Sequence, residues 1–148
     1  LGYLDAEYDE FDFNQVNVAE FLEMRRAPEW QYSLTGQYET RGGDGRLSGL
    51  VSYRWSDEYE SHLGPRFDGG GEGPLWNDPR GTVDSVGLLE ASLAYAFRVG
   101  DTDLELRAYG KNLTDEVFYN GFTAIANLWS LSSVTPGRTW GVSLRADF

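Results

Sequence analysis

The chain has 148 residues, of which 15% are aromatic, 18 are glycine and only one is methionine, a composition that favours strands and turns within one domain. It has no cysteine, which excludes disulfides and thiolate metal sites, and its net charge of −12 argues against nucleic acid as a partner. No run approaches the eighteen apolar residues of a membrane-spanning helix, although spanning strands would leave no such run.

Six stretches alternate apolar and polar residues, the pattern of a strand whose two faces meet different surroundings. They cover residues 1–9, 30–40, 46–56, 83–98, 104–111 and 138–148. Tight turns are predicted at 41–45 and 100–103, because glycine and aspartate tolerate positive φ. The connections 10–29, 57–82 and 115–137 are long, and the first has room for a short helix at 18–26 that Pro28 would end.

Long and short connections therefore alternate along the whole chain. If the short turns share one side of the sheet, the carboxy terminus falls on that side too. Outer-membrane barrels have this asymmetry, with short periplasmic turns and long extracellular loops. The chain starts at Leu1, inside an alternating stretch and without a methionine or a signal peptide. We therefore expect it to be a piece of a longer protein.

The predicted apolar faces contain no charged residue, whereas each opposite face contains at least one. A Lys or Arg facing lipid at the bilayer midplane costs roughly 2–4 kcal/mol, which gives this exclusion a physical reason. Charges of both signs on the opposite face would pair across strands, contact a polar plug or line a hydrated lumen. They are Glu39, Arg54, Glu90, Arg98, Glu105, Arg107, Lys111, Arg145 and Asp147.

Aromatic residues sort toward the two ends of the predicted strands, as the anchoring girdles of a membrane barrel do. Those expected at the outer rim are Trp30, Tyr32, Tyr53, Trp55 and Trp140, and those at the periplasmic rim are Tyr38, Tyr95, Phe97 and Phe148. A soluble antiparallel sandwich would also alternate apolar and polar residues. It would have no reason to sort its aromatics in this way.

Two segments near the end of the chain carry a family resemblance. Residues 110–119 read GKNLTDEVFY, and residues 136–148 read PGRTWGVSLRADF. Together they resemble the carboxy-terminal end of TonB-dependent outer-membrane receptors. The resemblance implies that 1–148 is an antiparallel transmembrane β-barrel segment, the last six of about twenty-two strands. The plug domain of that family has no counterpart here.

The resemblance also implies a function and partners. The function would be energy-coupled uptake of a scarce nutrient, such as a ferric siderophore, a vitamin or an oligosaccharide, across a Gram-negative outer membrane. The partners would be membrane lipid, the TonB complex through the missing amino-terminal part, a small-molecule ligand at the extracellular loops, and the barrel assembly machinery. The assembly signal in the last strand would be Trp140, Gly141, Val142, Leu144, Ala146 and Phe148.

Two alternatives keep the strands but change the function. One is a small porin-like or structural outer-membrane barrel, and the other is a soluble β-sandwich binding module. An upstream plug would argue for the receptor, and partitioning with buffer rather than detergent would argue for the sandwich.

Catalytic, metal and cofactor sites are not predicted. His62, the only histidine, lies near Glu58 and Glu60, but no second nitrogen or sulfur ligand accompanies it. Asp68, Glu72 and Asp78 lack the spacing of an EF-hand. We therefore expect no enzyme. Ligand contacts, if any, are expected from charged and aromatic residues of the long loops, namely Arg25, Arg26, Arg66, Trp76 and Trp129.

Overall fold

The computed structural model describes residues 1–13, 15–17, 19, 24–61, 79–125 and 129–148. This part of the chain is all-β apart from a few 3-10 residues, among them the turn Pro79–Gly81, and it contains no helix that could span a membrane. The strands are β1 (Gly2–Tyr3), β2 (Asp12–Phe13), β3 (Val16–Asn17), β4 (Trp30–Gly42), β5 (Gly45–Ser56), β6 (Tyr59–Glu60), β7 (Thr82–Val83), β8 (Val86–Val99), β9 (Thr102–Lys111), β10 (Tyr119–Ile125), β11 (Trp129–Val134) and β12 (Thr139–Asp147).

Six strands form one antiparallel sheet in the order β1-β4-β5-β8-β9-β12. The sheet is open in the part of the chain that the structure describes, since β1 and β12 lie at opposite edges. Three two-stranded sheets, β2-β3, β6-β7 and β10-β11, lie in the long connections. The all-β antiparallel architecture predicted from the alternation is thus confirmed, with six strands in the main sheet.

The chain divides into two compact units, which we describe separately. The sheet unit comprises Ser33–Trp55, Gly87–Glu116 and Pro136–Phe148. The connection unit comprises Leu1–Tyr32, Ser56–Val86 and Val117–Thr135.

The register of the sheet unit aligns the alternation from strand to strand. Leu93 pairs with Ala108, which pairs with Val142. One residue further along, Arg107 pairs with Ala94 and with Ser143. Because directly paired residues share a face, the apolar positions of β8, β9 and β12 form one continuous face. A slip of one residue would exchange the two faces, so the alternation excludes such a slip.

Both short turns are two-residue hairpin loops with the same sequence, Gly-Asp. Gly43 has φ +61° and Gly100 has φ +62°, while neither following aspartate has a positive φ. A positive φ at the first central residue alone is the type II′ pattern, whose twist matches the flanking strands. The tight turns predicted at 41–45 and 100–103 are confirmed and are shorter than expected.

The first predicted strand is mostly wrong. Only Gly2 and Tyr3 pair with β4, opposite Gln31 and Trp30, and one further hydrogen bond joins Leu4 N–H to Glu29 O at 2.8 Å. Residues 4–9 leave the sheet. In the register of Gly2 with Gln31, Asp5 would lie opposite Pro28, which has no backbone N–H to donate, and this disfavours continued pairing.

The third long connection contains an unexpected hairpin. Strands β10 and β11 pair from Tyr119–Val134 to Ile125–Trp129, with a bulge between Tyr119 and Gly121. The helix predicted at 18–26 falls mostly outside the described residues. Met24, Arg25 and Arg26, which the structure does describe, are not helical, and Arg25 instead forms a bridge with Glu60.

Buried side chains are concentrated in the connection unit. Val83, Val86 and Phe122 are buried there, as is the hydroxyl of Ser61, which donates to Gly81 O at 2.8 Å. In the sheet unit, which the structure describes completely, Ala94 is the only buried hydrophobic side chain. The sheet unit is thus a single layer with two uncovered faces.

Candidate functional site

One face of the sheet unit is uncharged from edge to edge, and we call it the apolar face. It consists of Leu34, Gly36, Tyr38, Leu47, Gly49, Val51, Tyr53, Trp55, Leu89, Ala91, Leu93, Tyr95, Phe97, Leu104, Leu106, Ala108, Gly110, Trp140, Val142, Leu144 and Ala146. None of its side chains is buried, and Leu34 is 73% and Leu144 67% exposed. An apolar surface of this extent is uncommon on a soluble monomer and indicates a non-aqueous or protein neighbour.

Small residues make a shallow groove across the middle of the apolar face. Gly36, Gly49, Ala91, Ala108 and Gly110 contribute to its lining, and its volume is about 760 Å³. Larger side chains, including Tyr38, Leu93, Leu113 and Trp140, complete the lining. The lining of the groove therefore combines small and aliphatic groups with the rings of Tyr38 and Trp140.

Three aromatic rings of the sheet unit lie at the strand ends where the sequence predicted them. Tyr95 and Phe97 stack at 5.4 Å near the hairpin turns, and Tyr95 Oη donates to Gly42 O at 2.9 Å. Trp140 lies at the other end of β12, where it pairs with Gly110. The register thus places Trp140 at the opposite end of the strands from Tyr95 and Phe97, as the sequence predicted for these three residues.

The opposite face is polar, and most of its charges are paired. Arg46 with Glu39 (3.6 Å), Arg54 with Glu90 (3.1 Å) and Arg98 with Asp103 (2.6 Å) link neighbouring strands. Arg107 with Glu105 (3.1 Å) and Arg145 with Asp147 (3.0 Å) pair within one strand. Of the residues that the sequence offered for pairing across strands, Arg54 and Glu90 pair with each other, while Glu39 and Arg98 pair with Arg46 and Asp103. Lys111 has no ion pair among the described residues.

The six residues of the predicted assembly signal lie on or next to the edge strand β12. Trp140, Val142, Leu144 and Ala146 belong to the apolar face, and Trp140 is 77% exposed. Phe148 follows the last strand residue and is fully exposed. β12 pairs only with β9 among the described strands, so its outer edge presents unpaired backbone groups.

Gly141, the remaining member, lies on the polar face opposite Tyr109. A Cβ atom at Gly141 would lie 2.7 Å from Tyr109 Oη and 2.8 Å from its Cζ. The Tyr109 ring therefore lies over the glycine, and a glycine is required for this close approach. The same relation recurs between Tyr53 and Gly87, and between Tyr95 and Gly45.

Asn112 organises the turn that follows β9, with φ +50°. Its Nδ2 donates to Glu116 O at 2.7 Å and to Pro136 O at 3.1 Å, and its Oδ1 accepts from Glu116 N–H at 3.0 Å. Thr114 Oγ1 donates to Gly87 O at 2.7 Å. We call Asn112, Leu113, Thr114, Asp115, Pro136 and Arg138 the junction. The hydrogen bonds of the junction join residues 110–119 to the start of residues 136–148.

The junction is also packed. The Leu113 side chain fills the space above Gly110, where a Cβ would lie 2.5 Å from Leu113 Cδ2. Leu113 N–H donates to Leu89 O at 2.8 Å, which extends the β8–β9 pairing past the end of β9. From the sequence, GKNLTDEVFY was interpreted only as a family motif, and the hydrogen bonds of the junction were not predicted. The cluster of Asn, Thr and Asp directly after a strand could have indicated them.

The other residues considered from the sequence do not come together as a site. His62, Arg66, Asp68, Glu72, Trp76 and Asp78 lie outside the described residues. In the part that the structure describes, no three His, Cys, Asp or Glu side chains cluster as metal ligands. Glu60 is buried in the connection unit and accepts from Thr82 Oγ1 at 2.7 Å. Arg25, Arg26 and Trp129 are exposed, and Arg26 has φ +55°.

Comparison with models of protein families, with curated proteins and with solved structures finds no match for this chain.

Proposed function

We propose that this chain forms part of the wall of a β-barrel in a Gram-negative outer membrane, with the apolar face toward lipid. The observation that carries the proposal is the uncharged, uncovered face that five strands share. In water such a face would be unfavourable by about 25 cal/mol per Å² of apolar area, whereas hydrocarbon accommodates it. The paired charges of the opposite face would then line the barrel interior.

Strand length supports the same proposal. The five long strands have between nine and fourteen residues. At about 3.3 Å per residue and a tilt near 40°, they would span roughly 23–35 Å along the membrane normal. This range includes the height of the apolar band that outer-membrane barrels present to lipid. Two open edges cannot remain in hydrocarbon, so the proposal requires further strands that close the wall.

Within this class we propose an energy-coupled receptor of the TonB-dependent type. The support is the resemblance of residues 110–119 and 136–148 to that family, together with the dense bonding of the junction that joins them. The receptor would bind a scarce nutrient at its long connections and release it inward when the TonB complex acts on a plug. The barrel assembly machinery would recognise β12 and Phe148.

Energy dependence of uptake tests this proposal. Cells that produce the protein should accumulate a nutrient that cells lacking it do not, and a protonophore should abolish the difference. Uptake that persists after the protonophore would favour the porin-like alternative. Recovery of the protein from cell lysate without detergent would favour a soluble sandwich and contradict the membrane assignment.

A further inference from the structure

The hairpin β10–β11 lies in a segment without charge. Residues 117–135 contain no Asp, Glu, Lys, Arg or His, in a chain that is 24% charged. The flanking residues Asp115, Glu116 and Arg138 are charged, so the exclusion begins and ends with the hairpin. A polar connection that is only solvated has no reason to exclude charge in this way.

The two faces of the hairpin differ. On the inner face, Phe122 is 4% exposed, the Arg80 guanidinium lies 5.2 Å from its ring centre, and Arg80 Nη2 donates to Ser130 Oγ at 3.0 Å. On the outer face, Thr123 pairs with Leu131, and Gly121 pairs with Ser133. Trp129 continues the outer face and is 51% exposed, while Leu131 is 64% exposed. The hairpin is therefore held from its inner face, while Trp129 and Leu131 on the outer face are exposed.

The base of the hairpin is also fixed. Thr135 N–H donates to Phe118 O at 3.0 Å, and Phe118 N–H donates to Thr135 Oγ1 at 3.2 Å. Ser133 Oγ donates to Asn120 Oδ1 on the bulged strand. These bonds order the outer face before any ligand arrives, so binding there would lose little conformational entropy.

We infer that the outer face of this hairpin binds a neutral carbohydrate, with a sugar ring against Trp129 and Leu131. The face combines a flat indole and an aliphatic side chain with the hydroxyls of Thr123 and Ser133 and the amide of Asn120. A neutral sugar matches this set, because its C–H faces contact apolar groups while its hydroxyls form hydrogen bonds. A phosphate or carboxylate ligand would lose hydration on this face without gaining a charged partner from the hairpin, because residues 117–135 carry no cation.

This inference rests on the proposed function, because it names the ligand class of the receptor. The test uses cells that carry the intact protein in their envelope, with the protein level checked by immunoblot. The probes are fluorescently labelled neutral oligosaccharides of several linkages, including α-glucan, β-glucan and mannan, and a uronic-acid oligomer of the same length as the anionic comparison.

We expect at least one neutral oligosaccharide to bind and the uronic-acid oligomer to bind at least about tenfold more weakly. Trp129→Ala should weaken binding by about tenfold to a hundredfold, as truncation of an aromatic anchor does. The matched control is Val134→Ala. Val134 is also an exposed apolar residue of β11, but the alternation along the strand places it on the inner face. This control should stay within about twofold of the parent protein.

Binding by none of the neutral sugars, stronger binding of the uronic-acid oligomer, or an unchanged affinity in Trp129→Ala would each overturn the inference. Binding is measured after protonophore treatment, so it does not depend on energy coupling. Loss of uptake with intact sugar binding would contradict the proposed function alone. Energy-coupled uptake of another ligand without sugar binding would contradict the inference alone.

Discussion

Arg138 and Asp115 are joined twice although 23 residues separate them. The backbone N–H of Arg138 donates to Asp115 Oδ1 at 2.8 Å, and its Nη2 donates to Asp115 Oδ2 at 3.4 Å. Asp115 adopts φ +62°, a left-handed conformation that aspartate visits more readily than most residues. The next residue, Thr139, pairs with Lys111. This contact therefore fixes where β12 begins on β9.

The backbone hydrogen bond and the side-chain ion pair of this contact differ in strength, and substitutions should distinguish their contributions. Asp115→Ala removes both interactions and leaves the Arg138 N–H without its acceptor, so we expect a loss of about 1.5–3 kcal/mol. Arg138→Ala keeps the backbone hydrogen bond and removes only a half-exposed ion pair, which is worth about 0–1 kcal/mol. Urea unfolding of the protein in phospholipid vesicles measures both values. A larger loss for Arg138→Ala would mean that the guanidinium is the main support.

The contact between Tyr109 and Gly141 predicts a second pair of effects. Gly141→Ala forces a methyl group against the tyrosine and should cost about 1–3 kcal/mol. Gly36→Ala is the control, because a Cβ there meets no atom within 4 Å, and it should stabilise the strand by about 0.5–1 kcal/mol. The same urea titration applies.

A double variant checks that the clash is the cause. Replacing Tyr109 by serine removes the ring, so Gly141→Ala should cost much less in the Tyr109→Ser background. An equal cost in both backgrounds would show that backbone freedom at Gly141, rather than the tyrosine, sets the effect.

The assignment of the faces predicts asymmetric tolerance of charge on β8. Leu93→Arg places a guanidinium on the apolar face and should cost about 2–4 kcal/mol in a bilayer. The adjacent Ser92→Arg points to the polar face, opposite Tyr109, and should cost much less. Folding titrations into vesicles compare the two variants directly. Equal losses would mean that the two faces meet the same solvent.

Phe148 tests the role of the carboxy terminus in assembly. It makes no ring contact among the described residues and is fully exposed, so its deletion should leave the fold of the sheet unchanged. If the assembly machinery reads this residue, deletion should lower the outer-membrane level sharply while export to the periplasm continues. Fractionated cells analysed by immunoblot give both quantities. An unchanged outer-membrane level would remove Phe148 from the assembly signal.

The long strands were predictable because two independent signals coincide. The alternation around Leu93 and Val142 identifies the faces, and Gly43 and Gly100 mark the turns. The predicted bounds of β4, β5, β8, β9 and β12 agree with the structure within three residues at each end. The hairpin β10–β11 was missed, because the alternation in β11 covers only Trp129 to Ser132 and the bulge between Tyr119 and Gly121 interrupts the period of two in β10.

The contacts between distant residues could not be predicted. The sequence shows that Asn112 and Asp115 are turn formers, but their partners Pro136 and Arg138 depend on how β12 returns to β9. The position of Tyr109 over Gly141 depends on the same register. A single sequence carries the pattern within each strand and does not state which residue faces which across the pair.

The central claim is that the apolar face meets lipid, and site-directed spin labelling tests it most directly. The chain has no cysteine, so Val142→Cys, Ser143→Cys, Leu144→Cys and Arg145→Cys can each be labelled alone in the protein held in vesicles. If the apolar face meets lipid, the accessibility of the four labels should alternate with a period of two along β12. Labels at 142 and 144 should be more accessible to oxygen, and labels at 143 and 145 to a water-soluble nickel complex. Equal access of the nickel complex to all four positions, or exclusion of both reagents from 142 and 144, would contradict it.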